Sequence, residues 1–298
     1  MESVVTMGIF EYILSLIIGL VIGILFMGLF RIIMARIHWR YGPPLTQPVI
    51  DIIKLFFQKT VSHGVLFELG VFLSLAGTVV TLFFIPIGNI CPLKIAGGLL
   101  VVLYLMLIAP MGIALSGGSG ANPNISIGVS RKMILALSYE VPFLLIVLTL
   151  MLHYRTISLV ELVRMQQASG WAITTLPLAG IAYLLILPAM LGIRPFEITE
   201  AAQEIASGLK VEYSGKLLAL YYIEHAFHQF IVIALFVNLF LGGAGEPFTF
   251  LLKMLIIFVI GVLFNAVFPR VRIEQAIRFN WTWPLIIALV GLFIAYIW

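Results

Sequence analysis

The sequence predicts an all-α, polytopic membrane protein with about eight transmembrane helices, and three observations carry that prediction. Of 298 residues, 62% are hydrophobic and only 10% charged, whereas soluble domains carry about a quarter charged residues. Mean hydropathy is +1.16, so most of the chain is solvated by lipid. The apolar residues also come in runs long enough for a hydrocarbon core of about 30 Å, which takes about 20 residues of helix. The polar remainder is too small for an extramembrane domain, so residues 1–298 read as a single integral membrane domain.

The runs lie near 7–33, 65–87, 95–115, 132–153, 172–193, 215–241, 248–268 and 282–298. The first lacks a basic segment before it (Met1-Glu2-Ser3) and is too long for a cleaved signal, so it reads as a retained helix. With the N-terminus outside, the outer segments hold only Lys94, Arg155, Arg164 and Lys253, and the other 13 of the 17 basic residues fall on the inner side. Positive residues stay cytoplasmic. The sequence therefore predicts a multi-pass cell-membrane protein with both termini outside and its functional loops in the cytoplasm.

Two connecting stretches are amphipathic rather than spanning. Residues 47–58 put Val49, Ile52, Ile53 and Phe56 on one helical face, with Asp51 and Lys54 elsewhere; residues 157–167 do likewise on the outer side. Each suits a helix in the interface plane and equally a short helix packed under the bundle.

The net charge of +4 comes from basic residues between the runs. Topology and the lipid bilayer explain these, so nucleic acid is not implied. Cys91 is the only cysteine. That excludes an intrachain disulfide and any thiolate-held iron–sulfur or zinc site within the chain, so a redox metal would belong to a partner.

An ionisable group inside a span costs several kcal/mol on insertion scales and usually has a task. Glu140 lies about eight residues into the fourth run, beside Tyr139 and before Pro142, and Glu224 about nine residues into the sixth. Both runs start on the same side, so both carboxyls are expected roughly 12–14 Å deep, where a lateral proton path could join them. Alternatively each is satisfied by Tyr139, Tyr221 or a neighbouring helix. His225 and His228 extend the polar face around Glu224. No third ligand is placed by spacing, so a proton relay or plain hydrogen bonding is favoured over a metal.

The loop at 193–216 is the richest polar segment. Glu197, Glu200 and Glu204 recur at i, i+3 and i+7, on one face if the segment is helical, with Glu212 following and Thr199 placed to cap a short helix. These carboxylates could collect protons, form a solvated face, or dock a basic partner. Asp51, the only aspartate, sits beside Lys54, where a local ion pair is the simplest expectation, and Arg40 precedes a tight turn at Gly42-Pro43-Pro44.

Five segments then occur together in order: RYGPPLTQPVIDIIKLF from Arg40, SRKMILALSYEVP from Ser130, RPFEITEAAQEIASGLKVEYSG from Arg194, IEHAF from Ile223 and PRVRIEQAIRFNW from Pro269. They resemble the membrane anchor subunit 1 of respiratory complex I (NADH dehydrogenase subunit 1) and its counterparts in membrane-bound group 4 NiFe hydrogenases. The resemblance implies eight helices, several tilted, with the cytoplasmic loops forming a platform for the peripheral redox arm. It assigns Glu140, Glu224, Glu197, Glu200, Glu204 and Glu212 to the start of an ion path, with Tyr139, His225 and His228 alongside. It places Arg40, Asp51, Lys54 and Arg194 at a cavity facing that arm. The partners it implies are hydrogenase-like large and small subunits carrying iron–sulfur clusters, and in the hydrogenase branch a NiFe centre, together with antiporter-like membrane subunits. No cofactor is expected in this chain.

One departure from the quinone-reducing members is visible. Only Pro44-Leu45-Thr46 separates Pro43 from Gln47, where those members have a longer insert, and the short spacer resembles the hydrogenase side of the family. The leading expectation is a non-catalytic subunit coupling electron transfer to proton or sodium translocation in a hydrogenase-like or sulfur-reducing complex. A quinone-reducing complex, a stand-alone ion transporter and a purely structural anchor are the alternatives.

Overall fold

The computed structural model describes residues 2–94, 97–120 and 122–297, with the side chains of residues 2–8 and 209 left aside. The expected runs 95–115 and 282–298 therefore each have an end outside the described residues.

Among the described residues twelve α-helices follow in chain order: α1 (Glu2–Ile37), α2 (Gln47–Phe56), α3 (Val65–Phe83), α4 (Gly98–Gly118), α5 (Pro123–Tyr154), α6 (Leu159–Ser169), α7 (Ala172–Thr175), α8 (Pro177–Leu191), α9 (Ala202–Ile205), α10 (Gly215–Phe240), α11 (Pro247–Val267) and α12 (Ile273–Ile297). No strand is present among them. The helices α1, α3, α4, α5, α10, α11 and α12 are long and apolar enough to cross a bilayer. The eighth apolar helix, α8, is shorter. The run expected at 172–193 is broken at Leu176, whose φ of −124° and ψ of 60° leave the helix region just before Pro177; proline disfavours a helical residue ahead of it.

α10 is the axis of the bundle. From Phe230 to Phe240 every residue is buried, so this stretch is apolar on all sides rather than striped. Side chains satisfy its C-terminal end. Gln166 of α6 donates to the Asn238 and Leu239 carbonyls at 3.1 and 3.0 Å. Lys253 of α11 donates to the carbonyls of Leu241 and Gly243. A cation at the negative end of a helix dipole is favourable, and the orphan carbonyls are used. α6 buries Leu159, Leu162, Val163 and Gln166, which settles it as a helix packed on the bundle rather than lying free in the interface.

Small residues let the helices touch. A Cβ on Gly112 of α4 would lie 2.5 Å from the Ser74 amide nitrogen of α3 and 2.7 Å from the Gly70 carbonyl oxygen, and one on Gly70 would strike Ser116 and Gly112 in return. Gly70 and Ser74 on one helix facing Gly112 and Ser116 on the other form a reciprocal small-xxx-small crossing. Ser116 adds a hydroxyl donated to the Phe67 carbonyl at 2.8 Å.

The basic loops gather at one end. Thr60 accepts from the Lys216 amide, Ser214 from the Val61 amide, and the Val271 amide donates to the Pro195 carbonyl. This end is called the basic face below.

Candidate functional site

A cavity of about 640 Å³ opens on the basic face and runs inward among α1, α4, α5, α8, α10 and α11. Its outer wall carries His38, Arg40, Arg194 and Glu197; its inner part is lined by Lys132, Tyr139, Glu224, His225 and His228, with Pro110 of α4 alongside. α10 supplies the inner acids and bases because Tyr221, Glu224, His225 and His228 recur at i, i+3, i+4 and i+7, one helical face. α5 supplies Lys132, Leu135 and Tyr139 by the same spacing.

Several of the expected residues meet here. Glu224, Glu197, Glu200, His225, His228, Tyr139, Arg40 and Arg194 all line the cavity. Glu140 does not: it sits one position past Tyr139, around the helix. α5 begins at Pro123, earlier than the apolar run, because its first turns are too polar to count as a span yet are helical, with Asn122 accepting from the Asn124 amide as N-cap. Hence Lys132, not Glu140, is the α5 residue of charged type that shares the cavity with Glu224. Glu224 and His228 do not pair with each other as i, i+4 spacing suggests. His228 Nε2 instead stands 3.0 Å from the Met190 carbonyl oxygen, which can only accept, so Nε2 carries a proton. Among the described residues no three His, Cys, Asp or Glu side chains come together as a metal would require.

The acidic loop is not one helix. Its α-helical part is only Ala202–Ile205, with Ala201 as N-cap; Ala206 and Ser207 turn left-handed directly after it, and a 3-10 turn follows at Gly208–Val211. Thr199 therefore caps nothing, and the three glutamates fan out to separate partners. Glu197 takes Arg194 at 3.1 Å and Arg270 at 3.3 Å. Glu204 takes Arg131 of α5 at 2.9 Å. Glu200 accepts from Lys210, and from the Tyr221 hydroxyl at 2.6 Å. Glu212 lies away from the cavity, with His63 Nε2 at 3.7 Å and a carboxylate oxygen that is buried without a hydrogen-bond donor.

Burial pushes the Glu200 carboxyl up, but the Lys210 and His225 charges and the hydrogen bonds from Lys210 and Tyr221 outweigh it and hold the group below the ordinary glutamate value. Glu200 is thus an ionised clamp between the loop and α10. Glu200→Gln should cost about 2 kcal/mol through a weakened charged hydrogen-bond set, read as a lower midpoint in thermal unfolding of the purified protein.

Asp51 pairs with Arg31 of α1 at 3.0 Å and accepts from Gln47 at 2.8 Å; the ion pair expected with Lys54 is absent. The partner distant in sequence wins because α2 lies against α1 and α10, burying Pro48 and Ile52, while Lys54 is exposed. Val49, Ile53 and Phe56 are exposed too, so the apolar face of α2 turns outward except at Ile52. Asp51 thus reaches the cavity only through Arg31, which lines it. Partial burial raises the Asp51 carboxyl, yet the Gln47 and Arg31 hydrogen bonds and the Arg31 and Lys54 charges hold it below the ordinary aspartate value. Its contribution is complete above the unfolded value of about 4 and fades as pH falls through the lower folded value. Both side chains are more than a third exposed, so screening limits the pair to about 1 kcal/mol or less. The stability difference between the native chain and Asp51→Asn should shrink only in acid below pH of about 4, checked by unfolding across a pH series.

Arg31, Lys132, His38 and Asn265 also belong to the site, and sequence reasoning did not single them out. Asn265 of α11 accepts from the Arg194 amide at 3.0 Å and donates to the Met34 sulfur, pinning the loop to two helices. Arg31 and Lys132 were legible only as topology-setting cations.

A charged cavity that opens at the loops of one face and runs in among helices long and apolar enough to cross a bilayer defines a polytopic membrane protein with a polar interior. The chain matches the NADH dehydrogenase family over residues 10–296 and belongs to it. It is 32% identical over 291 residues to an NADH-quinone oxidoreductase subunit of Protochlamydia amoebophila, covering 89% of each chain. To the subunit of the same name from Dehalococcoides mccartyi it is 29% identical over 288 residues, 91% of this chain and 81% of that one. A solved chain of the membrane-bound sulfane sulfur reductase, an archaeal respiratory membrane complex, superposes with a TM-score of 0.93 at 37% identity, covering 97% of this chain and 99% of that one.

Proposed function

We propose that this chain is the membrane subunit that docks the peripheral iron–sulfur arm of a complex I-like respiratory complex and couples electron transfer there to proton or sodium translocation. One observation carries the reading: the cavity begins at the loops of the basic face and reaches Glu224 inside a spanning helix. Reduction of a cluster near Arg40, Arg194 and Glu197 would alter the field on Glu224. A change of one pKa unit is about 1.4 kcal/mol, so a field change of only that size at Glu224 would shift its proton loading about tenfold. On this reading the basic face is cytoplasmic and both termini lie outside, as the charge asymmetry favours. The redox centres, iron–sulfur clusters and in a hydrogenase branch a NiFe centre, reside in large and small partner subunits, with antiporter-like subunits alongside in the membrane.

The acceptor is read as a sulfur compound or protons rather than quinone. The 37% identity to a sulfane sulfur reductase chain supports this, as do the short Pro43 to Gln47 spacer and a cavity lined by Arg31, Arg40, Lys132, Arg194 and three glutamates. The quinone-reducing reading is favoured by the two NADH-quinone oxidoreductase relatives. Purifying the tagged chain in mild detergent distinguishes them. Co-purifying iron proteins with reduction of a sulfane substrate, or with nickel and hydrogen evolution, support the first; quinone reduction blocked by a quinone analogue supports the second. A chain that purifies alone, without iron, would overturn both.

A further inference from the structure

A second cavity lies on the opposite side of the 193–199 loop. It is an open groove of about 470 Å³ between α8, α11 and α12, near the basic face. Phe196, Phe264, Phe268 and Phe279 dominate its walls, and of its ten lining residues only Gln275 has a polar side chain. The phenyl rings are fixed by one another: Phe264 and Phe268 stack at 5.7 Å, and Phe196 meets Phe279 at 5.6 Å. Such a slot accepts hydrocarbon and nothing polar.

Its rim is cationic. Arg272 and Arg278 flank the positions Val271, Gln275 and Phe279 that face the groove, and both are exposed. Among the described residues neither has a carboxylate within ion-pair distance. Arg270 beside them is engaged by Glu197, and Glu274 is the one opposing charge in the first turn of α12. Trp281 and Trp283 follow within two turns, exposed on the same helix, and tryptophan concentrates at the level of lipid headgroups. Going inward along α12 the cationic rim comes first and the tryptophans next, with the apolar slot alongside, which suits a phosphate, the interface and an acyl chain.

We propose that this groove holds an acyl chain of an anionic phospholipid whose phosphate is taken by Arg272 and Arg278. The lipid would be structural as well as bound. Phe196 forms the groove wall while its neighbours Arg194 and Glu197 line the ion cavity, so the occupant braces the back of the cavity mouth. The site requires only that the chain lie in a bilayer and is independent of the electron acceptor.

The test places a photoreactive phenylalanine analogue at Phe268, irradiates the protein in its native membrane, and identifies the adducts by mass spectrometry. Phospholipid adducts enriched in anionic headgroups over the bulk membrane are expected, with enrichment falling about fivefold for each of Arg272→Gln and Arg278→Gln. Adducts whose headgroups mirror the bulk membrane, or unchanged enrichment in both variants, would overturn the proposal. Adducts on another polypeptide would also overturn it, making the groove a subunit interface.

Discussion

Glu224→Gln is expected to abolish ion translocation while the complex assembles and its acceptor is still reduced. Glu224 is buried on α10 at the inner part of the cavity, with Lys132 of α5 and the two histidines around it. The amide keeps the side-chain volume and removes a buried acid, so the fold has no reason to fail. It cannot take up and release a proton, and losing a positioned proton-transfer group costs on the order of a hundredfold in rate. Inverted vesicles carrying the complex, followed by a pH-sensitive dye during acceptor reduction, read the two activities separately. Translocation that survives the substitution would sink the coupling role assigned to this residue. Glu140→Gln, made in parallel, asks whether the path continues past α5, since Glu140 lies outside the cavity wall.

The largest effect on stability should come from Gly112→Val. The atoms that a Cβ would meet belong to the backbone of Ser74 and Gly70, so no rotamer change can relieve them and α3 and α4 must part. Overpacking by even small groups costs about 1–3 kcal/mol, and here the Ser116 hydrogen bond across the same crossing is strained as well. Yield of monodisperse protein in detergent and its thermal midpoint should both fall sharply. Gly118→Ala at the end of the same helix, where nothing lies within 4 Å of the added carbon, should change neither. Similar losses for both would show that glycine flexibility, rather than the crossing, matters.

Much of this architecture was legible from hydropathy, because a bilayer forces each span to be long and apolar. What hydropathy missed is what it does not measure. The polar first turns of α5, Asn124 to Lys132, are helical through capping and packing, so Lys132 reads as a loop cation in the sequence and yet faces the cavity. The regular spacing of Glu197, Glu200 and Glu204 suggested a helix. The segment is instead tied down residue by residue, each carboxylate to a cation from another element. For Asp51 the sequence offered Lys54, and only the approach of α2 to α1 brings in Arg31 instead. The inner histidines and Glu224 were readable because charge inside an apolar run stands out; their common cavity depends on six helices meeting and has no local signature.

The length of α5 has a mechanical consequence. Its apolar part, residues 133–152, matches a hydrocarbon core of about 30 Å, while the whole 32-residue helix measures about 48 Å at 1.5 Å per residue. The surplus forms a stiff post at the basic face, and Arg131 on that post holds the 193–214 loop through Glu204 and the Ile198 carbonyl. The loop is thus hung from a rod sunk in the bilayer, and a rod of fixed rise sets height as a ruler does. Whatever rests on that loop is held at a defined elevation above the membrane, and tilting the post would raise or lower it as a unit.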